Sequence, residues 1–343
     1  MDSAFIIEKS VVIVTVFAIT MIMAMYSTYA ERKVAAFLQD RIGPNRAGKF
    51  GLLQPLADGL KLFSKEEFFP NTPNRFLFIV GPAIAMSTAL MTSAVIPWGD
   101  RLHIFGRDVI LQATDIDVSL LYIFGVVSVG VYGIMIGGWA SNNKFSLMGA
   151  VRAASQMVSY EIAMGLSMIA LLMMTGTLSL KEISIQQSGM DWNVFYQPVS
   201  FLIFLICAFA ELNRTPFDLA ECESELIGGY HTEYSSMKMG FYLFAEYANM
   251  FISSAILSVL FFGGYNYPGM QWMIDNVGVN MANILGIVAL FIKICGFIFF
   301  IMWVRWTIPR FRYDQLMNLG WRILIPLSIL NIIITGICIL AFK

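Results

Sequence analysis

Charged residues are scarce in this 343-residue chain. They make up 13% of it, whereas hydrophobic residues make up 58%. Soluble domains carry roughly 25% charged residues, so the composition excludes a soluble catalytic domain and favours a protein that lies in lipid. The formal net charge of −1 offers no basic excess to attract nucleic acid. The lipid bilayer is therefore an expected partner, and nucleic acid is not.

Metal-binding side chains are also few. The four cysteines, among which no CxxC pair occurs, are Cys207, Cys222, Cys295 and Cys338. The two histidines, His103 and His231, form no ligand cluster with them. Protein-ligated zinc, haem and iron–sulfur sites need such residues at close spacing, so we expect no metal site on this chain.

Long apolar runs dominate what is present. A helix needs about 20 mostly apolar residues to cross a bilayer, and eight stretches approach or meet this requirement. They are 5–29, 76–95, 118–137, 155–175, 199–212, 241–262, 282–304 and 323–341. The fifth is short, which predicts that the polar segment after it is sheltered by protein. The sequence thus predicts an all-α polytopic transmembrane helix bundle of about eight spans, forming a single domain over 1–343.

Lys and Arg are distributed unevenly between the two sides of this bundle. Sixteen lie in the loops after the first, third, fifth and seventh spans, and five lie in the other loops and the termini. The side with more Lys and Arg is normally cytoplasmic. We therefore expect both termini on the outer side. Because no organelle-targeting presequence is visible, the expected location is a bacterial inner (plasma) membrane.

The first cytoplasmic loop, 31–75, is too long for a simple connector. After the turn at Gly43-Pro44-Asn45, apolar residues recur at helical spacing from Leu53 to Phe63. The charged residues on the other faces are Asp58, Lys61 and Lys65. This pattern predicts an amphipathic helix at the membrane surface, which either anchors the loop or roofs an entrance from the bilayer.

The acidic loop 211–240 is the strongest chemical signal. Thr215, Pro216 and Asp218 resemble a helix N-cap, a first-turn proline and a third-position acid, so a short helix is predicted to begin here. Glu221 and Glu225 would then share one face. The acids of the loop and its flanking spans are Glu161, Glu211, Glu221, Glu223, Glu225, Glu233 and Glu246. They form either a solvated surface or a proton relay that continues into the membrane.

Charged residues inside the spans allow similar alternatives. Glu161 is expected to face a cavity or a partner cation, with Arg152 and Lys144 nearby in sequence. Lys293 is the one Lys or Arg well inside a span, and it is expected either to pair structurally with one of the acids or to join their relay. Gly133 and Gly137, four residues apart, predict close helix packing.

Five long motifs resemble one family. They are ERKVAAFLQDRIGPNRAG, GLLQPLADGLKLFSKE, SLMGAVRAASQMVSYE, AELNRTPFDLAECESELIGGYHTEY and VRWTIPRFRYDQLMNLGW. In sequence and order they are similar to the H-type membrane component of bacterial NADH-quinone oxidoreductase, equivalent to mitochondrial NADH dehydrogenase subunit 1, in respiratory complex I. The resemblance covers almost the whole chain.

This resemblance implies an energy-transducing subunit of an enzyme. It would join the membrane arm to a peripheral arm whose other subunits carry FMN and iron–sulfur clusters, and quinone would be the substrate. By match of motif, the residues at the quinone entrance and arm interface would be Arg32, Arg41, Asp58, Lys61 and Lys65. The seven acids would form a funnel that links quinone reduction to proton movement, with Arg214 as a cation in contact with it.

Two other functions remain open from the sequence. In a stand-alone ion transporter or channel, the same acids would bind a substrate cation. In a subunit of a membrane-bound hydrogenase, quinone would play no part. The structured cytoplasmic loops favour a chain docked under a redox arm, since an independent transporter does not need them.

Overall fold

The computed structural model describes residues 3–70, 74–104, 107–221 and 223–342. The first half of the chain forms α1 (Ser3–Leu38), α2 (Gln54–Ser64), α3 (Arg75–Ser93), β1 (Arg101–Ile104), β2 (Arg107–Ile110), α4 (Ser119–Ala140) and α5 (Lys144–Thr175). The two strands pair antiparallel as a hairpin at the end of α3 opposite to α2.

The second half is also helical. It forms α6 (Leu180–Gln186), α7 (Asn193–Tyr196), α8 (Pro198–Glu211), α9 (Glu223–Leu226), α10 (Ser236–Phe261), α11 (Met270–Asn276), α12 (Val279–Thr307), α13 (Tyr313–Asn318) and α14 (Ile325–Phe342). A π-helical segment, Leu319–Leu324, joins the last two, so that they form one continuous rod.

Within the described residues, seven helices are long and apolar enough to cross a membrane. The fifth predicted span, 199–212, corresponds to α8, which has 14 residues and is the shorter apolar helix expected from the sequence. The prediction of an all-α polytopic bundle is confirmed. Two boundaries differ from the prediction by more than five residues. The helix α5 begins at Lys144 and not near residue 155. The helix α1 continues to Leu38, because no glycine or proline interrupts the chain before Gly43-Pro44. Glu31 and Arg32 therefore belong to α1 and not to the loop after it.

Small residues allow α3 and α4 to pack closely. A Cβ on Gly133 would lie 2.9 Å from the backbone nitrogen of Ala85, and a Cβ on Gly137 would overlap the hydroxyl of Tyr242. The Tyr242 hydroxyl instead donates to the carbonyl of Gly133 at 3.0 Å. The predicted packing role of the two glycines is confirmed, and it brings α3, α4 and α10 together.

Lys293 lies halfway along α12 and contacts backbone oxygen atoms. Its ammonium donates to the carbonyls of Phe262, Gly264 and Asn266 at 2.7, 2.8 and 2.6 Å. These carbonyls follow the last turn of α10, where no further helical N–H groups remain to bind them. The alternative in which Lys293 pairs with an acid of the funnel is therefore wrong, because its ammonium already donates to three carbonyls of the loop that follows α10.

The segment that joins α8 to α10 is not helical where a helix was predicted. Residues from Leu212 to Glu221 form turns, the Thr215–Pro216 peptide is cis, and the four-residue α9 begins only at Glu223. Gln156 of α5 donates its amide to the carbonyls of Ala210 and Phe217. These tertiary contacts hold the segment folded back against α5 and override the local capping pattern.

The predicted amphipathic helix is present as α2. Its apolar face is exposed in the isolated chain: Leu60 and Phe63 are 69% and 70% exposed, and Leu53 and Leu56 are about half exposed. A contiguous apolar surface of this kind requires lipid or another protein against it. The helix is thus available to lie at the surface of the membrane, as the sequence predicts.

Candidate functional site

Four charged side chains form a buried network where α1, α10 and α12 meet the turn segment. The guanidinium of Arg214 lies 3.2 Å from a carboxylate oxygen of Glu31 and 3.2 Å from one of Glu246. Arg305, near the end of α12, makes a further ion pair with Glu31. Two positive and two negative charges therefore alternate through the protein interior, where isolated charges are costly.

Two aromatic side chains complete this network. Arg214 lies over the ring of Tyr247 at 4.4 Å from its centroid, and the hydroxyl of Tyr230 donates to Glu246 at 2.8 Å. Burial alone would lower the pKa of Arg214, but the carboxylates of Glu246 and Glu31 raise it above its usual value. Arg214 is therefore a fixed positive charge, and the neighbouring groups must adjust to it.

Burial also raises the pKa of Tyr230 well above the usual value for tyrosine, and the charge of Glu246 adds to the effect. Tyr230 thus stays protonated at neutral pH and acts as a hydrogen-bond donor to Glu246. A protonated phenol beside a carboxylate can pass a proton along a hydrogen-bonded chain only if the acceptor changes its own protonation state.

Close backbone contacts position the acidic loop. Gly149 of α5 approaches the backbone of Gly229 and Tyr230, where a Cβ would meet their atoms at 2.8 to 2.9 Å. Gly229 has a φ of +58°, and a Cβ there would lie 1.7 Å from the carbonyl oxygen of Ala220. Only glycine fits this position, so the turn that carries Tyr230 depends on it.

A second ion pair attaches this segment to the loop after α12. Asp218 accepts a hydrogen bond from Arg310, and the N–H of Phe311 donates to the carbonyl of Pro216 at 3.0 Å. Burial raises the pKa of Asp218, although Arg310 opposes the shift. The loop from Ile308 to Arg312 is therefore part of the same polar assembly as the acidic loop.

The outer acids of the loop have separate partners. Glu225 pairs with Arg152 at 2.5 Å, Glu233 accepts from the amide of Asn143 at 2.6 Å, and Glu221 lies 3.9 Å from a ring nitrogen of His231. The side chain of Glu223 is outside the described part of the chain. Glu221 precedes α9, so the expectation that it shares a helix face with Glu225 is wrong.

Glu161 lies on the α4 side of the bundle, apart from these acids. It accepts a hydrogen bond from Ser128 of α4, whereas Arg152, its expected partner, is paired with Glu225. Lys144 is exposed and makes no ion pair within the described residues. Of the two alternatives expected for Glu161, the ion pair with Arg152 or Lys144 is therefore wrong, whereas the cavity is present: Glu161 lines a space of about 450 Å³ between α4 and α5. Arg152 lies nine residues earlier on α5, roughly 13 Å along the axis, which is too far for contact.

A cavity of about 40 Å³ lies between two of the partly buried acids. Glu211 and Glu246 both line it, together with Tyr230, Asn213 and Thr88. A cavity needs roughly 10 to 15 Å³ to hold a water molecule, and several polar partners to retain it. The volume and the polar lining of this space meet both conditions for a few water molecules.

The residues predicted for the entrance are only partly brought together. Arg32 on α1 pairs with Asp58 on α2 at 2.6 Å, and the hydroxyl of Tyr29 donates to the carbonyl of Phe50 at 2.7 Å. Arg41 instead donates to its neighbour Gln39. Lys61 and Lys65 are exposed, and neither forms an ion pair with another described residue. Among the predicted entrance residues, Arg32 and Asp58 are thus the pair that links α1 to α2.

Four members of the site are not among the residues predicted from the sequence. Glu31 and Arg305 are treated there only as charges in loops, and Tyr230 and Tyr247 are not singled out. The sequence does carry a signal for Glu31: Ala24, Ser27, Glu31 and Ala35 follow helical spacing, and all four are buried on one face of α1. In the described residues, no group of three or more His, Cys, Asp or Glu side chains is arranged to hold a metal ion.

The spans and the buried charges define a polytopic membrane protein built around titratable groups. The NADH dehydrogenase family pattern matches residues 10–336. The chain is 90% identical to the H-type component of NADH-quinone oxidoreductase from Flavobacterium psychrophilum over the full length of both. It is 66% identical to an H-type component of the same enzyme from Cytophaga hutchinsonii, with 98% of each chain covered, and 44% identical to one from Geobacter sulfurreducens, with 95% of this chain and 93% of the relative covered. The chain therefore belongs to the H-type membrane component family of NADH-quinone oxidoreductase.

Proposed function

We propose that this chain is the membrane subunit of a proton-pumping NADH:quinone oxidoreductase that forms the quinone chamber and couples quinone reduction to proton translocation. Its partners are the other subunits of complex I. FMN and the iron–sulfur clusters belong to those subunits, and NADH binds there as well. The chain lies in a bacterial inner membrane, with α2 on the cytoplasmic side and both termini on the outer side.

One observation carries the proposal. Glu31 and Arg32 are consecutive residues on α1, and they belong to two different sites. Arg32 pairs with Asp58 on the amphipathic helix, while Glu31 pairs with Arg214 and Arg305 in the buried network. Any shift or rotation of this turn of α1 therefore acts on the entrance and on the buried charges together. This is the arrangement that coupling requires.

The network supplies a physical means of coupling. Quinone takes up two electrons from the peripheral arm and two protons, and the quinol that forms is neutral. The groups that give up those protons are therefore left more negative than before, and we propose that these groups lie close to the network. A charge that appears beside Arg214 alters the balance between its two carboxylate partners, Glu31 and Glu246. The carboxylate that is released from Arg214 becomes easier to protonate. Glu246 is connected through the cavity to Glu211, and from there the response passes further into the bundle.

The outer acids extend this path toward the surface. Glu221, Glu225 and Glu233 lie in the acidic loop, with His231, Arg152 and Asn143 as their respective neighbours. Glu223 is included by its place in the motif. Glu161, bonded to Ser128, lies on the side of α4. We propose that the seven acids act together as the relay, with the pair around Arg214 as its central element.

The test is Glu246→Gln in the assembled complex. The amide preserves the shape of the side chain but cannot gain or lose a proton. The matched control is Glu182→Gln, which changes an exposed acid at the hairpin end of the bundle. Membranes would be assayed for NADH-driven quinone reduction, for proton pumping, and for NADH oxidation by an artificial acceptor, which reports the intact peripheral arm.

We expect Glu246→Gln to reduce quinone reduction and pumping together by roughly tenfold or more, the usual size of losing a positioned proton-transfer group. Oxidation by the artificial acceptor should persist, and the control should match the parent in all three assays. Unchanged quinone reduction and pumping in Glu246→Gln would show that the buried carboxylates only stabilise the fold, and the proposal would then fail.

A further inference from the structure

The end of α2 is attached to the beginning of α10 by several side chains. The hydroxyl of Ser236 donates to the carbonyl of Leu62 at 3.1 Å, and that of Ser235 donates to the carbonyl of Glu66 at 3.4 Å. Lys238, in the first turn of α10, lies 2.7 Å from a carboxylate oxygen of Glu67. The amphipathic helix is therefore held at this end by the last residues of the acidic loop and the first turn of α10.

Lys238 lies at the centre of this contact. It is only 7% exposed, and its ammonium lies 3.3 Å from the ring centroid of Phe69 and 5.3 Å from that of Phe78. A cation over an aromatic face is stabilised most where water is excluded. The ring of Phe78 stacks on Tyr234 at 4.1 Å between centroids. One ammonium thus contacts the segment after α2 and a ring of α3 that packs on the acidic loop.

A buried lysine with a single, half-exposed carboxylate partner is poorly explained by stability alone. Burial of the ammonium costs free energy, and an ion pair with an exposed acid returns little of it. Two aromatic faces and one carboxylate are the contacts that compensate. All three belong to the segment that joins α2 to α3, or to α3 itself, so the lysine acts on the placement of α2.

We propose that Lys238 is a positioning residue of the quinone entrance, which clamps the C-terminal end of α2 to the acidic loop so that the two move as one body. This inference rests on the proposed function, and within it on the alternative in which α2 roofs the quinone entrance. On its other side α2 is held to α1 by Arg32 and Asp58. The apolar face between the two attachments contacts no other part of the described chain closely enough to bury it, so the attachments set its position.

The experiment compares three variants in the purified complex. Lys238→Gln removes the charge, Lys238→Arg retains a cation that can lie over an aromatic ring, and Lys181→Gln removes a lysine from an ion pair with Asp115 at the hairpin end. Hydrogen exchange of residues 62–70 reports the clamp directly. KM and kcat for a short-chain quinone report the entrance, and NADH oxidation by an artificial acceptor reports assembly.

In Lys238→Gln we expect exchange of 62–70 to become faster by about tenfold, as loss of the cation–π and ionic contacts would allow. The KM for quinone should rise several-fold while kcat stays within about twofold of the parent, because a positioning residue acts on access more than on the reaction. Lys238→Arg should recover most of both effects, and Lys181→Gln should show neither.

If the hydrogen-exchange rate of residues 62–70 is unchanged in Lys238→Gln, Lys238 does not clamp α2, whatever the values of KM and kcat for quinone. Faster exchange with an unchanged KM would also overturn the inference, since the clamp would then have no effect on quinone access. Neither result bears on Glu246→Gln, so a failure of the clamp is distinguishable from a failure of the proposed coupling function.

Discussion

The buried network around Glu31 allows a quantitative test. Glu31→Gln would leave Arg214 and Arg305 with Glu246 as the one remaining carboxylate of the network, a net positive charge in a buried site. Glu31 is 6% exposed, and the Arg305 side chain is 24% exposed. Removing one partner of a buried pair costs about 3 kcal/mol or more, because the other charge is left uncompensated. We therefore expect a large loss of stability from this substitution alone.

The companion variant is Arg305→Gln, which leaves Glu31 paired with Arg214. The double variant restores equal numbers of positive and negative charges. We expect the destabilisation of the double variant to be smaller than the sum of the destabilisations of the two single variants. The difference, which is the coupling energy between Glu31 and Arg305, should be about 1 to 3 kcal/mol. Because a large membrane complex unfolds irreversibly, the measured quantity should be the rate of thermal inactivation of quinone reductase activity at a fixed temperature.

A barrier change of about 3 kcal/mol corresponds to roughly a hundredfold faster inactivation for Glu31→Gln. The double variant should be slower to inactivate than the product of the two single rate ratios. Strictly multiplicative ratios would refute the reasoning, since Glu31 and Arg305 would then contribute independently and the alternation of charge would have no energetic meaning.

Three further predictions concern the framework of the site. Gly229→Ala should strongly lower the amount of assembled complex on native gels, because the added Cβ would overlap the carbonyl of Ala220. The control is Gly228→Ala, where a Cβ would meet no atom closer than 3.3 Å, and its amount of complex should remain close to that of the parent. Gln156→Leu should destabilise the turn segment by about 1 to 3 kcal/mol by leaving the carbonyls of Ala210 and Phe217 unpaired, seen as faster thermal inactivation, with exposed Gln271→Leu as the control. Lys293→Met should lower assembly by leaving three carbonyls without their donor, but the quinone reductase activity per assembled complex should stay near the parent value; a selective loss of that activity would instead place Lys293 in the relay.

The long apolar runs are sufficient to predict the bundle. Each predicted span overlaps a helix, and even the short fifth span has its counterpart in α8, because hydrocarbon leaves a chain few alternatives to a helix. The amphipathic helix is predicted equally well from spacing alone. The spacing of apolar residues is a local property of the sequence, and it is sufficient to determine the membrane-spanning helices and α2.

The prediction for the turn segment is wrong for a physical reason. Thr215, Pro216 and Asp218 match a helix start, but Asp218 bonds to Arg310, 92 residues away in the chain. The side-chain amide of Gln156 donates hydrogen bonds to carbonyl groups near both ends of the segment. Neither partner can be identified from the residues next to the motif, so the tertiary contacts decide the outcome.

The ion-pair partners of the charged residues likewise cannot be predicted from the sequence. Arg152 and Glu161 are near each other in the chain, yet Arg152 reaches Glu225 on another segment. Glu31 is missed when the loop is assumed to begin there, although the small residues before and after it continue the helical pattern. The acids themselves can be picked out from the sequence. Their pairing requires the fold.

The contact made by Lys293 has a consequence for the loop after α10. Three carbonyl oxygens converge on one positive charge, as they do around a bound potassium or ammonium ion, but here the cation is covalently attached to the protein. Such a cation has no dissociation constant and cannot be exchanged for another, so its occupancy does not depend on the ionic composition on either side of the membrane. The loop therefore keeps its shape through changes in salt that would empty an ordinary ion site.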